Sequence, residues 1–195
     1  YGPMVVAREP WSQEALCGKR IAIPGTMTTA YLTLKLFQPD FEAVVIPFDR
    51  IMNEVQKGSV DAGLIIHEGQ LTYASQQLHK IVDLGEWWYQ QTRLPLPLGG
   101  NVIRRDLGME DIRNLARLLK ESIQYALDHR EEALNHAMQF ARDLDTKTAD
   151  RFVGMYVNER TLDYGAEGRQ AVQQLFDRAY EAKIIPKPIR AEFVS

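Results

Sequence analysis

Between residues 18 and 92 short apolar runs alternate with helix-like stretches, and this alternation narrows the fold more than any other feature of the chain. The runs are RIAIPG from Arg20, EAVVIPF from Glu42, VDAGLIIHE from Val60 and KIVDLG from Lys80. Each is rich in Ile, Val, Leu or Ala and bounded by Pro, Gly or charged residues, as strands buried on both faces are. TMTTAYLTLKLF stands between the first two runs. Ala30, Leu34 and Phe37 recur there near helical spacing with Tyr31 close by, and Thr26, Thr28 and Thr29 offer capping hydroxyls at its start. DRIMNEVQKG reads as a short helix with Asp49 as N-cap, a stripe of Ile51, Met52 and Val55, and Gly58 as its stop. QLTYASQQL reads as helical, and EWWYQQT follows the fourth strand. The order implies a parallel sheet covered by helices. Ahead of it, YGPMVVA reads as a strand and REPWSQEALCGK as a loop.

The pattern changes after Thr92. LPLPLGGNVIRR reads as a crossover running into a strand at GGNVIRR, with its prolines arguing against a central strand position. Beyond it the chain is almost all helical in pattern. MEDIRNLARLLKESIQYALDH carries Ile112, Leu115, Leu119, Ile123 and Ala126 on one face. REEALNHAMQFA, TADRFVGMYVN and GAEGRQAVQQLFDRAYEAK continue as helices punctuated by Asp, Asn and Gly. We therefore expect residues 1–17 as a crossover strand and linker, 18–90 as a smaller α/β lobe, and 91–195 as a crossover plus the helical part of a larger lobe. That last part has few strands of its own, and the chain opens on Tyr rather than Met. Both lead us to expect an N-terminal segment upstream and an incomplete larger lobe.

Composition excludes some functions. With 195 residues, 45% hydrophobic and 25% charged, the chain has the make-up of a soluble globular protein. A net charge of -3 and no long basic run give no footprint for nucleic acid. No apolar stretch nears the roughly 20 residues a membrane span needs. The single cysteine, Cys17, rules out an internal disulfide framework, which fits a cytoplasmic location.

The residue that most invites a chemical role is His67. It follows GLII, where an open α/β sheet places its ligands, beyond the carboxyl ends of strands. Its side chain exchanges protons near neutral pH. The alternative is a strand-end histidine tied to backbone. Glu68 could orient it or face solvent. The start of the TTAYL helix is a second candidate, because free N–H groups there bind carboxylates, and Thr28 and Thr29 add hydroxyls. The alternative is plain capping. LPLPLGG reads as a hinge, a pocket wall or only a stiff loop, and EWWYQQT as packing or a surface for a planar ligand. Asn158 reads as a cap. His79, His129 and His136 read as surface helical residues, and Cys17 has no obvious partner that would make it a catalytic thiol. GxGxxG, Walker, GxSxG, HExxH and CxxC patterns are absent, so neither a metal nor an organic cofactor is indicated.

Taken together, YGPMVVAR, GKRIAIPG with TTAYL, GLIIHE, DLGEWW, LPLPLGG and YVN resemble the 1,4-dihydroxy-6-naphthoate synthase family of menaquinone biosynthesis by the futalosine route. The resemblance runs from Tyr1 nearly to the C-terminus. It implies a two-lobed fold like type II periplasmic binding proteins, put to use as a carbon–carbon lyase. The implied reaction cleaves cyclic dehypoxanthinyl futalosine to 1,4-dihydroxy-6-naphthoate and dihydroxyacetone with no metal or organic cofactor. His67 matches the family's base, and Thr29 and Ala30 match its substrate-binding position, beside Thr28. Chorismate dehydratase of the same pathway, or a binding protein for a small anion without chemistry, are the alternatives. No nucleic-acid or membrane partner is expected, and the sequence leaves the oligomeric state open.

Overall fold

The computed structural model of this chain describes residues 2–140 and 145–194. They form two compact units. The first comprises the described residues of Tyr1–Gly99 and Gln170–Arg190, and the second those of Gly100–Arg169 and Ala191–Ser195.

The first unit is built on one sheet with strands β1 (Met4–Ala7), β2 (Arg20–Ile23), β3 (Glu42–Val45), β4 (Ala62–Ile65) and β5 (His79–Asp83), in the order β3-β2-β4-β1-β5. β2 pairs parallel with β3, Arg20 opposite Glu42, and with β4, Ile21 opposite Ala62. β1 runs antiparallel to both β4 and β5. The four strands expected to form a parallel sheet share one direction, and β1, whose direction the sequence left open, is inserted antiparallel between β4 and β5. β1 precedes the first strand–helix unit, so no crossover helix ties its direction to a neighbour.

β1, β2, β4 and the second half of β5 are buried because both faces of the sheet are covered there, whereas β3 at the sheet edge is largely exposed, Val45 at 62%. Val5 and Ala7, Ile21 and Ile23, and Ala62 and Leu64 point to one face. That face meets Ala30 and Leu34 of α1 (Thr29–Phe37). Val6, Ala22 and Ile65 point to the other, against Ile51, Met52 and Val55 of α2 (Ile51–Lys57). Each fully buried aliphatic side chain stabilises the unit by about 1.5–3 kcal/mol relative to exposure. α3 (Gly69–Thr72) follows β4, and α4 (Leu84–Thr92) follows β5. Asp49 does not cap α2. It lies in a 3-10 turn, Phe48–Arg50, and the helix is entered from Arg50 without a side-chain cap. His79 opens β5 instead of lying on a helix.

α4 takes up EWWYQQT. Trp88 is fully buried, its indole N–H donating to the Pro95 carbonyl at 3.2 Å. Trp87 packs against the first core face, so the tryptophan pair is packing. GGNVIRR forms no strand. Val102 there is 96% exposed, and the segment has too few apolar residues to bury a face.

Four helices make up most of the second unit: α5 (Met109–Asp128), α6 (Arg130–Met138), α7 (Thr146–Tyr156) and α8 (Glu159–Leu162). α9 (Gly165–Glu181) begins in the second unit and ends in the first, where Ala171, Leu175 and Ala179 are buried. Its Arg178 guanidinium lies 5.2 Å over the Trp88 ring. The helix expected to end at Ala141 is described to Met138. Ala141, like Tyr1 in the expected first strand, lies outside the described residues. The α5 stripe forms as a helix, but of its members Ile112 is buried while Leu115 and Leu119 are exposed.

Gly63 in β4 is where α2 comes closest to the sheet. A Cβ there would meet the γ-methyls of Ile51 at 2.5 Å and Val55 at 2.8 Å. Both neighbours are β-branched and stiff at χ1, so they give way poorly. Gly63→Ala is expected to cost about 1–3 kcal/mol, read as a lower urea midpoint. Gly99→Ala, whose added methyl meets nothing within 4 Å, should stay within about 0.5 kcal/mol of the parent chain.

Candidate functional site

Because β3, β2 and β4 are parallel neighbours, their carboxyl ends finish at one edge of the sheet, with about 4.8 Å between adjacent strands. Three turns therefore gather there. Gly25–Thr28 leads from β2 to α1, Ile46–Arg50 from β3 to α2, and Ile66–Glu68 from β4 to α3.

His67 sits in the third turn and is 8% exposed. Nδ1 accepts the backbone N–H of Gly69 at 2.9 Å. Nε2 lies 2.9 Å from the Phe48 carbonyl oxygen in the second turn. An N–H donor at Nδ1 and a carbonyl acceptor at Nε2 fix the ring as neutral, with its proton on Nε2. Backbone groups from two turns thus satisfy both nitrogens, so a buried polar side chain carries no unpaired atom. The Phe48 ring flanks the imidazole at 5.6 Å between centroids. The Glu68 carboxylate lies 3.6 Å from Nδ1, with its side chain one-third exposed. The turn is itself braced by Gln70 N–H to His67 O at 2.9 Å and Leu71 N–H to Glu68 O at 2.8 Å. Gly69 lets the ring come this near its amide. A Cβ on it would stand 2.7 Å from His67 Cε1 and 2.9 Å from Met52.

At the start of α1 the threonines divide their work. Thr28 is the N-cap: its hydroxyl accepts Tyr31 N–H at 3.1 Å and donates to Gly25 O at 3.0 Å. Thr29 and Ala30 are the first two helical residues, so their N–H groups have no intrahelical partner. Ala30 is 4% exposed, with its methyl in the core, so any contact it makes with a ligand is through its amide rather than its side chain. The fold brings the Thr28–Ala30 turn and His67 to adjacent strand ends. Phe48 and Gly69 were not found by sequence reasoning, because each acts through a backbone atom. The glycine two residues after His67 is the one visible trace.

Other candidates separate from this edge. Cys17 donates to Asp40 Oδ2 at 3.1 Å, and that hydrogen bond raises the thiol pKa, which disfavours a thiolate. Asn158 caps α8 in a reciprocal capping box with Thr161. His129 stacks on Tyr125 at 4.0 Å, and His136 lies against Phe140. A surface depression of about 820 Å³ in the second unit is lined by Arg130, Asn158 and Arg160 among others, and includes none of the edge residues. Its two arginines are already engaged, Arg130 with Asp150 at 2.9 Å and Arg160 with Glu167 at 3.2 Å. Among the described residues no helix is long and apolar enough to cross a membrane.

Residues 1–181 match a family described as menaquinone biosynthesis. A 1,4-dihydroxy-6-naphthoate synthase of Thermus thermophilus is 46% identical over 187 residues, 96% of this chain and 68% of its own length. One from Streptomyces coelicolor is 40% identical over 191 residues, 95% of this chain and 67% of its own length. A crystal structure of an Archaeoglobus fulgidus protein superposes with TM-score 0.90 at 48% identity, covering 95% of this chain and 69% of that one. The periplasmic sulfonate-binding protein of Methylobacillus flagellatus superposes with TM-score 0.61 at 12% identity, over 96% of this chain and 60% of its own. This and similar matches give the fold as periplasmic-binding-protein-like.

The cap geometry separates stability from binding at α1. Thr28→Ala should lower stability by about 1 kcal/mol in chemical denaturation, and Thr28→Ser should restore it, because only the hydroxyl is used.

Proposed function

The chain belongs to the menaquinone biosynthesis family, and on that footing we propose that it carries the 1,4-dihydroxy-6-naphthoate synthase reaction of its relatives, with the edge formed by β2, β3 and β4 as the site. The substrate in this reading is cyclic dehypoxanthinyl futalosine, and the products are 1,4-dihydroxy-6-naphthoate and dihydroxyacetone. The observation that carries the reading is the placement of a proton-accepting imidazole and an open helix N-terminus at the ends of two adjacent parallel strands.

The chemistry follows from those two features. A naphthoate product carries a carboxylate. The unpaired N–H groups of Thr29 and Ala30, at the positive end of the α1 dipole, suit that group. Holding one end of the substrate there presents its sugar-derived part to His67. His67 takes a proton from that part, the electron pair stays on the substrate, and the carbon–carbon bond that releases dihydroxyacetone breaks. Nδ1 is the nitrogen with a lone pair, so it is the atom that receives the proton once the Gly69 N–H that now occupies that lone pair gives way. The low exposure of the ring keeps water from competing for it.

His67→Gln removes the base and keeps a polar side chain of similar reach. Turnover, followed as dihydroxyacetone release, should fall about 10²–10⁴-fold with KM changed only severalfold. A variant that retains near-parent kcat would remove His67 from the reaction.

A further inference from the structure

We propose that Glu68 is a positioning residue that replaces the Gly69 amide as the partner of Nδ1 once His67 is protonated. The inference rests on His67 being the base, and it concerns what happens after the proton arrives.

In the neutral ring Nδ1 is an acceptor, matched to Gly69 N–H at 2.9 Å. Proton transfer breaks a bond to hydrogen on the substrate, leaves the electron pair there and forms Nδ1–H. The ring becomes a cation with donors at both nitrogens. The Nε2–H bond to the Phe48 carbonyl survives this change and gains charge assistance. The Nδ1 contact does not survive, because two N–H groups then face each other at hydrogen-bond distance. That arrangement is repulsive, and it would oppose the very proton transfer the site performs.

The Glu68 carboxylate answers this mismatch. It lies 3.6 Å from Nδ1, which in the neutral ring has no proton to give it, and one small side-chain movement brings it to a charge-assisted bond with the protonated ring. Its side chain is one-third exposed and has room to make that movement. Its backbone carbonyl is held by Leu71 N–H, so the carboxylate moves against a fixed main chain. Other charges on the elements around the ring are Asp49 and Arg50 in the turn after β3, and Glu54 and Lys57 of α2, which pair with each other at 2.8 Å. The imidazole thus has two sets of partners. The Gly69 amide sets the tautomer before the reaction, and Glu68 holds the cation after it.

The test has one arm without substrate and one with it. In the first, ¹⁵N-histidine NMR, with His67 assigned from His67→Gln, should show the neutral ring protonated at Nε2 with Nδ1 bare. On acidification the Gly69 amide proton should move upfield together with His67 protonation, as it loses its acceptor. In the second, Glu68→Gln should lower kcat about tenfold with KM nearly unchanged, in keeping with the loss of one hydrogen bond to a charged group. Glu68→Asp should recover part of that loss, and the neutral tautomer should be the same in both variants. A neutral ring protonated at Nδ1, a Gly69 amide indifferent to His67 protonation, or a Glu68→Gln variant with unchanged kcat would each overturn the proposal. If the NMR arm failed while His67→Gln was inactive, the exchange of partners would fall and the base would stand. A His67→Gln variant with full turnover would remove the base itself.

Discussion

The parallel pairing of β2 with β4, Ile21 opposite Ala62 and Ala22 opposite Gly63, sets the position of every group at the candidate site. Parallel neighbours end at the same edge, so this one pairing makes the turn that starts α1 and the turn that holds His67 adjacent. β3 adds the Phe48 turn by the same rule. The register in turn depends on burial on both faces. Shifting β4 by one residue would exchange Leu64 with Ile65 between the two cores and drive Gly63 away from the α2 contact that requires it. Packing therefore fixes the geometry of the edge.

Backbone holds the imidazole. A histidine that is 8% exposed needs partners for two nitrogens, and here a carbonyl and an amide supply them. Backbone partners are rigid and fix a single tautomer, which a flexible side chain would do less well. The Gly69 amide cannot change from donor to acceptor when protonation turns Nδ1 from acceptor to donor. An ionisable group at the same nitrogen is then a chemical need, and Glu68 is placed to meet it. The two amides at the head of α1 have no such difficulty. In the proposed reaction they would face a group that stays anionic, and a helix end is a fixed dipole of the right sign.

Much of this was legible in the chain. RIAIPG, GLII and KIVDLG were readable as strands because two-sided burial leaves uninterrupted apolar runs, EAVVIPF was readable by its β-branched residues although its strand is an exposed edge, and the TTAYL start was readable because Thr28 is a capping residue. His67 stood out because a polar residue ended such a run. Other features left no mark. An apolar run has no direction, so nothing in YGPMVVA marked β1 as the antiparallel strand between β4 and β5. Asp49 resembled a cap, yet a 3-10 turn intervenes before α2, and turn geometry depends on how Phe48 meets His67. GGNVIRR resembled a strand by composition, but a strand needs a neighbour and a face to bury, and the exposed Val102 has neither. The Phe48 carbonyl is a main-chain atom, identical in every residue type, and no sequence pattern could have marked it.

Amide chemical-shift mapping with 1,4-dihydroxy-6-naphthoate tests most directly whether the shared edge of β2, β3 and β4 is where this chain meets its ligand. The amides of Thr29, Ala30 and Gly69 should shift most, with the His67 ring resonances moving alongside them. Shifts that spare those residues and cluster instead around Arg130, Asn158 and Arg160 of the second unit would contradict the account.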